Sequence, residues 1–117
     1  MIIENTQNHK RIKCTEAFSL FQKMRGLMFR KKTIPILFDF FNDGLYAIHS
    51  FFVPEPFYAI YMSSSGKVVD KFRVVPSEAY RKNSVPARYL LEIDESNAVY
   101  FNKGDMVKFY VRMEDVN

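Results

Sequence analysis

The chain has 117 residues, 48% hydrophobic and 26% charged, with a formal net charge of +4. This length and balance suit one globular domain over residues 1–117 and exclude a largely disordered chain. Its single cysteine, Cys14, excludes an intramolecular disulfide and a cysteine-based metal cage within one chain. No apolar run reaches the ~18 residues of a membrane helix, so we expect a soluble, cytoplasmic protein with no membrane contact.

The first predicted elements are a hairpin and a helix. Ile2 and Ile3, a polar turn, and residues 10–14 with alternating apolar positions are typical of two short paired strands. From Thr15, which suits a helix N-cap, apolar residues recur at helical spacing, and this predicts an amphipathic helix over about residues 16–25. The apolar positions of this helix are Ala17, Phe18, Leu20, Phe21 and Met24.

Two further hairpins are predicted in the middle of the chain. Aromatic and β-branched residues fill 34–41 and 45–52, and Asn42-Asp43-Gly44 between them suits a tight turn. Pro54 and Pro56 interrupt the pattern. Residues 57–62 and 67–75 then frame Ser63-Ser64-Ser65-Gly66 as another hairpin.

The last third of the chain predicts short elements. Residues 76–86 favour a loop or helical turn, 88–93 a strand, 95–100 a helical turn, and 106–111 a final strand. Many short strands with one helix indicate a mainly β fold. We therefore predict a single-domain antiparallel β-sandwich or barrel with one amphipathic helix near the N-terminus.

Several motifs in order resemble the family called domain of unknown function 192. They are Arg25-Gly26-Leu27-Met28-Phe29-Arg30, the aromatic strand at 48–52, Pro56 with Gly66-Lys67-Val68-Val69, Pro86 to Glu92, and Lys103-Gly104-Asp105-Met106-Val107. The resemblance implies a compact β-sandwich with jelly-roll-like character, a helix at one side, and no established activity. The chain departs from the family pattern at residues 49–52, where many relatives carry a tryptophan, a methionine and a polar pair, and at Tyr58, where they carry an aspartate.

The sequence does not indicate an enzyme. Acyl-transfer chemistry needs a nucleophile, a base and oxyanion donors, and the only imidazoles are His9 and His49 and the only thiol is Cys14. A lone His49 among apolar residues is more typical of a core or loop histidine, and Cys14 of a small buried hydrophobe. We predict no catalytic set, no metal and no cofactor.

Arg88 and Glu92 stand out because residues four apart on a strand share one face. One interpretation is a structural tie, in which Arg88 forks onto a carboxylate or a carbonyl. The other makes Arg88, with Arg25 or Arg30, a receptor for an anionic ligand or for a partner's carboxylate.

The leading hypothesis is a binding module for a small ligand or a protein partner, with its oligomeric state left open. The aromatic and proline-rich stretch from Phe51 to Tyr58 motivates it, although these rings could equally fill the core. A basic, aromatic surface for nucleic acid is the alternative, and an accessory hydrolase is a weaker one. The predicted binding residues are Arg25, Arg30, His49, Phe52, Tyr58, Arg88 and Glu92.

Overall fold

The computed structural model describes residues 1–17, 32–48, 50, 53–77 and 81–111. The strands in this part of the chain are β1 (Ile2–Asn5), β2 (Arg11–Lys13), β3 (Thr15–Ala17), β4 (Ile36–Gly44), β5 (Ala47–Ile48), β6 (Phe57–Met62), β7 (Val68–Val74), β8 (Arg81–Lys82), β9 (Ala87–Ile93) and β10 (Val107–Tyr110). The helix there is α1 (Glu95–Ala98), which Asp94 caps by accepting a hydrogen bond from the Asn97 amide.

The strands form three sheets. A three-stranded sheet has the order β10-β1-β2, a five-stranded sheet the order β3-β4-β9-β6-β7, and a two-stranded sheet joins β5 to β8. β3 and β4 pair in parallel, whereas the other strand pairs are antiparallel. Within the described ranges the strands do not close into a barrel.

The five-stranded sheet carries apolar side chains on both faces because side chains alternate along a strand. One face packs on the three-stranded sheet, and this first core includes Ile3, Ile12, Leu37, Ile60 and Leu91. The opposite face carries a second core, which includes Ile36, Phe38, Ala59, Tyr61 and Leu90. Both cores share one sheet, so the described strands form a single packing unit with a mainly β fold.

Several predicted elements are confirmed. The N-terminal hairpin pairs Ile3 with Ile12, and β6 and β7 form the hairpin around residues 63–66. The strand predicted at 88–93 is β9, the helical turn contains α1, and the last strand is β10. Each has a strong local pattern, either strict alternation or glycine and polar residues at the turn.

The hairpin predicted around Asn42-Asp43-Gly44 is wrong. β4 pairs with β3 and β9, and β5 pairs with β8. Asn83 explains why the chain does not fold back here: its side chain donates to the carbonyl of Gly44 at 2.8 Å and accepts from the amide of Tyr46 at 2.8 Å. The residues after Gly44 are therefore held by a distant loop.

The predicted start of the amphipathic helix is also wrong. Glu16 and Ala17 belong to β3, where they pair in parallel with Leu37 and Phe38, so tertiary pairing overrides the local helical spacing. The rest of the predicted helix lies outside the described residues. The helix that the described part of the chain contains lies near the C-terminus, and the parallel pair also corrects the fully antiparallel prediction. The jelly-roll-like character stays a prediction.

We expect Gly66→Ala to destabilise the fold more than Gly104→Ala. Both glycines have positive φ, +90° and +94°, so alanine should cost roughly 1–2 kcal/mol of backbone strain at either position. At Gly66 an added Cβ would also lie 2.6 Å from the carbonyl oxygen of Val107, whereas at Gly104 it meets nothing within 4 Å. Urea unfolding of both variants measures the difference, and equal losses would contradict the expected clash.

Candidate functional site

The structure places three of the sequence-predicted site residues, Tyr58, Arg88 and Glu92, within its described ranges. The other predicted site residues lie outside them and stay predictions. They are Arg25, Arg30, His49 and Phe52.

Tyr58 and Glu92 lie on opposite faces of the five-stranded sheet. Glu92 pairs across the strands with Ala59, the residue after Tyr58, and Ala59 belongs to the second core. Tyr58 packs instead against the first core, and the Lys71 ammonium lies 5.4 Å from the centre of its ring. One small ligand cannot contact both side chains, so they do not form one site.

Lys71, which contacts the Tyr58 ring, has a structural role. Its Nζ donates to the Ala98 carbonyl oxygen at 2.7 Å, at the C-terminal end of α1, and to Asn102 Oδ1 at 3.2 Å. A cation at this end of a helix satisfies a free carbonyl. Burial lowers the pKa of Lys71, and the nearby Asp105 charge opposes that shift.

Arg88 forms a two-pronged ion pair with Asp39 on the neighbouring strand. Its Nε donates to Asp39 Oδ1 at 2.9 Å and its second nitrogen to Oδ2 at 3.0 Å. The hydrogen bonds to Asp39 raise the pKa of Arg88, and its guanidinium lies 4.8 Å from the centre of the Tyr89 ring. Arg88 therefore contacts Asp39 rather than Glu92, and it joins β4 to β9 where their register shifts.

Glu92 is a nearly buried carboxyl in the middle of the sheet. Only 5% of its surface is exposed, and its strand neighbours are Ile36 on β4 and Ala59 on β6. Within the described residues no group donates a hydrogen bond or forms an ion pair with this carboxyl. Burial raises the pKa of Glu92 to about 8.

Tyr61 is a polar group on the same face of the sheet, but its hydroxyl proton is already donated elsewhere. Its hydroxyl donates to the Tyr46 carbonyl oxygen at 2.8 Å. Burial first, and then the charges of Glu92 and Asp70, raise the pKa of Tyr61 far above its usual value. The Tyr61 hydroxyl therefore stays protonated and does not donate to Glu92.

Aromatic and charged groups follow Tyr61 toward the edge of this face. The ring of Tyr61 lies 5.9 Å from that of Phe72, and the Arg81 guanidinium lies 4.2 Å from the centre of the Phe72 ring. Asp70 Oδ2 accepts from the Ser84 amide at 2.8 Å. Burial opposes ionisation of Asp70, but hydrogen bonds from Ser84 and the Lys71 amide, with the Lys103 charge, together lower its pKa.

The Glu92 carboxyl is thus mostly protonated at neutral pH, whereas the hydrogen bonds to Asp70 lower the pKa of that carboxyl and favour its ionised form. A protonated carboxyl both donates and accepts a hydrogen bond, and such a group occurs in binding and catalytic sites more often than elsewhere. The signal for it in the sequence is a charged residue between Leu91 and Ile93 of an otherwise apolar strand. Sequence reasoning identified Glu92 but missed Asp39 as the partner of Arg88.

Cys14 does not contribute a nucleophile in this structure. It is buried, and burial raises the pKa of its thiol to about 11. Its Sγ donates to the Met1 carbonyl oxygen at 3.7 Å, which fits the prediction of a small buried side chain. Across the described ranges no group of three or more His, Cys, Asp or Glu side chains is placed to hold a metal ion.

Comparison with known proteins identifies the family. The DUF192 model, described as Uncharacterized ACR, matches residues 1–109. The chain belongs to the DUF192 family. A search of curated proteins gives no match.

Two solved structures share the fold. One, described as a "putative transcription regulator" from Sinorhizobium meliloti 1021, has a TM-score of 0.80 and 21% identity, covering 92% of this chain and 89% of its own. The other, a protein of unknown function from Novosphingobium aromaticivorans DSM 12444, has a TM-score of 0.81 and 19% identity, covering 92% and 82%. At these identities the likeness shows the fold alone. In the described part of this DUF192 chain, no helix is both long and apolar enough to cross a membrane.

We expect Arg88→Ala to lower the midpoint of urea unfolding, because it leaves the Asp39 carboxylate, whose side chain is only 14% exposed, without its fork. Asp39→Ala should also destabilise, and the double variant should lose less than the sum of the two single losses. Losses that add within error would contradict a direct Arg88–Asp39 coupling. The exposed cation Lys108, substituted by alanine, is the control and should change little.

Proposed function

We propose that this DUF192 protein is a binding module for a small ligand or a protein partner, with the Glu92 carboxyl as its polar anchor. The observation that carries the proposal is Glu92, a residue that is only 5% exposed and whose carboxyl receives no hydrogen bond from the described residues. Apolar residues of the second core, Ile36, Ala59 and Leu90, lie beside it in the sheet.

Nearly buried carboxyl groups without a hydrogen-bond donor, such as that of Glu92, are rare in folded proteins. Buried polar atoms in folded proteins are nearly always hydrogen-bonded, and leaving one unpaired costs about 1–3 kcal/mol. An aliphatic residue between Ile36 and Ala59 would avoid that cost. The Glu92 oxygens are not among the fully buried unpaired side-chain atoms of the described residues, which are Thr33 Oγ1 alone, so they keep some contact with solvent that a ligand would replace.

Described residues near both of the chain segments that contain the remaining predicted site residues contact the second core. Ala17 and Ile34, which precede and follow one segment, pack against the second core, and so does Val53 after the other. The predicted site residues within these segments are Arg25, Arg30, His49 and Phe52. We propose that ligand contacts from this set, rather than from Tyr58, complete the site.

Nucleic-acid binding, the alternative, has less support. The rings of Tyr58, Tyr89 and Tyr100 already face Lys71, Arg88 and Lys10 of the same chain, at 5.4, 4.8 and 4.5 Å from the ring centres. Stacking of bases would have to displace these cations. A cytoplasmic location stays a prediction, as does an accessory hydrolase.

The salt dependence of binding tests this alternative. We expect fluorescence anisotropy with labelled single- and double-stranded DNA and RNA to show no saturable binding at 50 mM salt. Saturable binding that weakens steeply between 50 and 200 mM salt would instead support a basic nucleic-acid surface.

Native mass spectrometry of protein purified gently from its own cells tests the proposed function. We expect wild-type protein to retain an extra mass and Glu92→Leu to lose it, although Glu92→Leu should be at least as stable because it removes a buried unpaired carboxyl. Glu95→Gln, at a side chain that is 62% exposed, is the control and should keep the mass. Equal retention by wild type and Glu92→Leu would contradict Glu92 as the anchor.

The pH dependence of stability tests the state of the Glu92 carboxyl. Below pH 4.5 the carboxyl is protonated in both folded and unfolded chains, so it contributes nothing. From pH 4.5 to about 8 the unfolded chain loses this proton while the folded chain keeps it, so the free energy of unfolding falls as pH rises. The loss amounts to at most about 5 kcal/mol above pH 8.

The glutamine in Glu92→Gln cannot ionise. The free energy of unfolding of this variant should therefore rise relative to wild type from pH 4.5 to about 8, and the difference should be complete above pH 8. Urea unfolding from pH 4 to 9 measures it, together with an NMR titration of the Glu92 side-chain carbon. Glu95→Gln should follow the wild-type curve. A Glu92 pKa near 4.5, or parallel curves for wild type and Glu92→Gln, would show that the carboxyl is not desolvated.

A further inference from the structure

The outer edge of β2 is an unpaired strand edge that carries two cations, Arg11 and Lys13. β2 pairs with β1 on one side, and within the described ranges no strand pairs with it on the other. Going beyond the proposed function and using none of its residues, we propose that this edge binds an extended acidic segment of a partner protein, which adds a strand beside β2. The segment carries acidic side chains at two positions and an apolar side chain between them.

The ladder between β1 and β2 determines which backbone groups of β2 point outward. The Cys14 amide donates to the Met1 carbonyl oxygen at 2.9 Å, so these two residues form a hydrogen-bonded pair. Such pairs recur at every second residue of an antiparallel ladder, so Ile12 bonds to β1, whereas Arg11 and Lys13 direct their N–H and C=O groups away from it. These two N–H and two C=O groups have no backbone partner among the described residues, and an added strand would satisfy them.

The side chains of β2 define the sequence pattern that fits this edge. Arg11 and Lys13 are exposed on the outer face of the three-stranded sheet, whereas Ile12 is buried in the first core. In an added strand, a residue opposite Arg11 or Lys13 projects its side chain to that outer face, and the residue between them projects toward the side of the first core. An acidic-apolar-acidic segment therefore complements β2.

An acidic strand would extend a row of alternating charges across the outer face. Glu4 on β1 lies opposite Lys108 on one side and Arg11 on the other. The Arg11 Nε donates to Glu4 Oε1 at 2.7 Å, and the Arg11 side chain is still 39% exposed. Directly opposed residues of unlike charge stabilise a sheet. A carboxylate beside Arg11 would continue the alternation, and one beside Lys13 would meet the next cation.

The same edge disfavours two other occupants. A second copy of β2 would place cations opposite cations, which destabilises a strand pair. A nucleic acid would meet the cations with phosphate oxygens, which accept hydrogen bonds but do not donate them, so the phosphates would leave the outward C=O groups unpaired. A peptide strand supplies both donors and acceptors, so it is the occupant that the edge favours.

Amide hydrogen exchange of the 15N-labelled full chain tests whether the edge is open. In the free protein the amides of Arg11 and Lys13 should exchange fast, whereas the Ile12 amide, which bonds to β1, should exchange slowly. Slow exchange at Arg11 and Lys13 in the free protein would show that the edge is already covered, and it would overturn the inference.

The peptide Thr-Glu-Val-Glu-Thr, with both termini blocked, is the probe for strand addition. At low salt it should shift the amides of β2 and slow exchange at Arg11 and Lys13. Thr-Lys-Val-Lys-Thr reverses the charge, and Glu-Glu-Val-Thr-Thr keeps the composition but loses the alternation, so both should bind much more weakly. No shift in β2 at the solubility limit of the first peptide would overturn the inference. Equal binding of Glu-Glu-Val-Thr-Thr, or of a short oligothymidine, would show a general polyanion surface and would also overturn it.

Two substitutions of Lys13 separate its backbone from its charge. Lys13→Pro removes an N–H that β1 does not use, so the chain should fold while the peptide binds about two- to tenfold more weakly, as expected for one lost hydrogen bond. Lys13→Ala keeps the N–H and removes the charge, and it should weaken binding by up to about fivefold. Lys82→Ala, at an exposed cation on β8, is the control and should bind as wild type.

Wild-type affinity in both Lys13 variants would overturn the inference. If Lys13→Pro does not fold, which its amide spectrum would show, Lys13→Ala and the slowed exchange at Arg11 still decide. Failure here would leave the proposed function to the retained mass, because Glu92 takes no part in strand addition at β2.

Discussion

The register of β9 is the constraint on which the rest of the structure depends. β9 lies in the middle of the five-stranded sheet, between β4 and β6, and it contributes to both cores. Leu91 and Ile93 fill the first core, whereas Leu90 fills the second. A slip of one residue would exchange these faces and place Glu92 in the first core. The packing of two cores therefore fixes where the Glu92 carboxyl lies.

β9 carries two ionisable side chains, Arg88 and Glu92, whose surroundings differ. At its start, Arg88 meets Asp39 with two hydrogen bonds, and these hydrogen bonds raise the pKa of Arg88. Near its end, Glu92 has no such partner within the described residues, and burial favours its neutral form. Folding alone explains the first arrangement, because the ion pair ties two strands where their register shifts. It does not explain the second, because an apolar side chain would pack there without an unpaired oxygen.

Local patterns predicted the parts of the fold that local chemistry determines. Ser63 to Gly66 marked the β6–β7 turn, and Tyr89, Leu91 and Ile93 marked one face of β9. Both elements are confirmed. The prediction failed where distant residues decide, as at Gly44, whose carbonyl is held by Asn83. It failed again at Glu16, because pairing with β4 outweighs helical spacing.

The candidate site shows the same division between local and distant information. Spacing along a strand placed Arg88 and Glu92 on one face, but it could not show that Asp39 would take the arginine. Nor could it show that Tyr58 lies on the other side of the sheet, because that depends on the pairing of β6 with β9. The isolation of Glu92 was not predictable, since it depends on what every neighbouring strand contributes.

The contacts of Arg88 and Glu92 bear on which proposed ligand would suit this side of the five-stranded sheet. An anion receptor built on Arg88 would have to displace Asp39 from both prongs of the guanidinium, so the ligand's carboxylate or phosphate would only replace an existing partner. Glu92 has no partner among the described residues, so a ligand can hydrogen-bond to it without displacing another protein group. The proposed ligand would therefore displace no protein partner at Glu92, whereas at Arg88 it would have to displace Asp39.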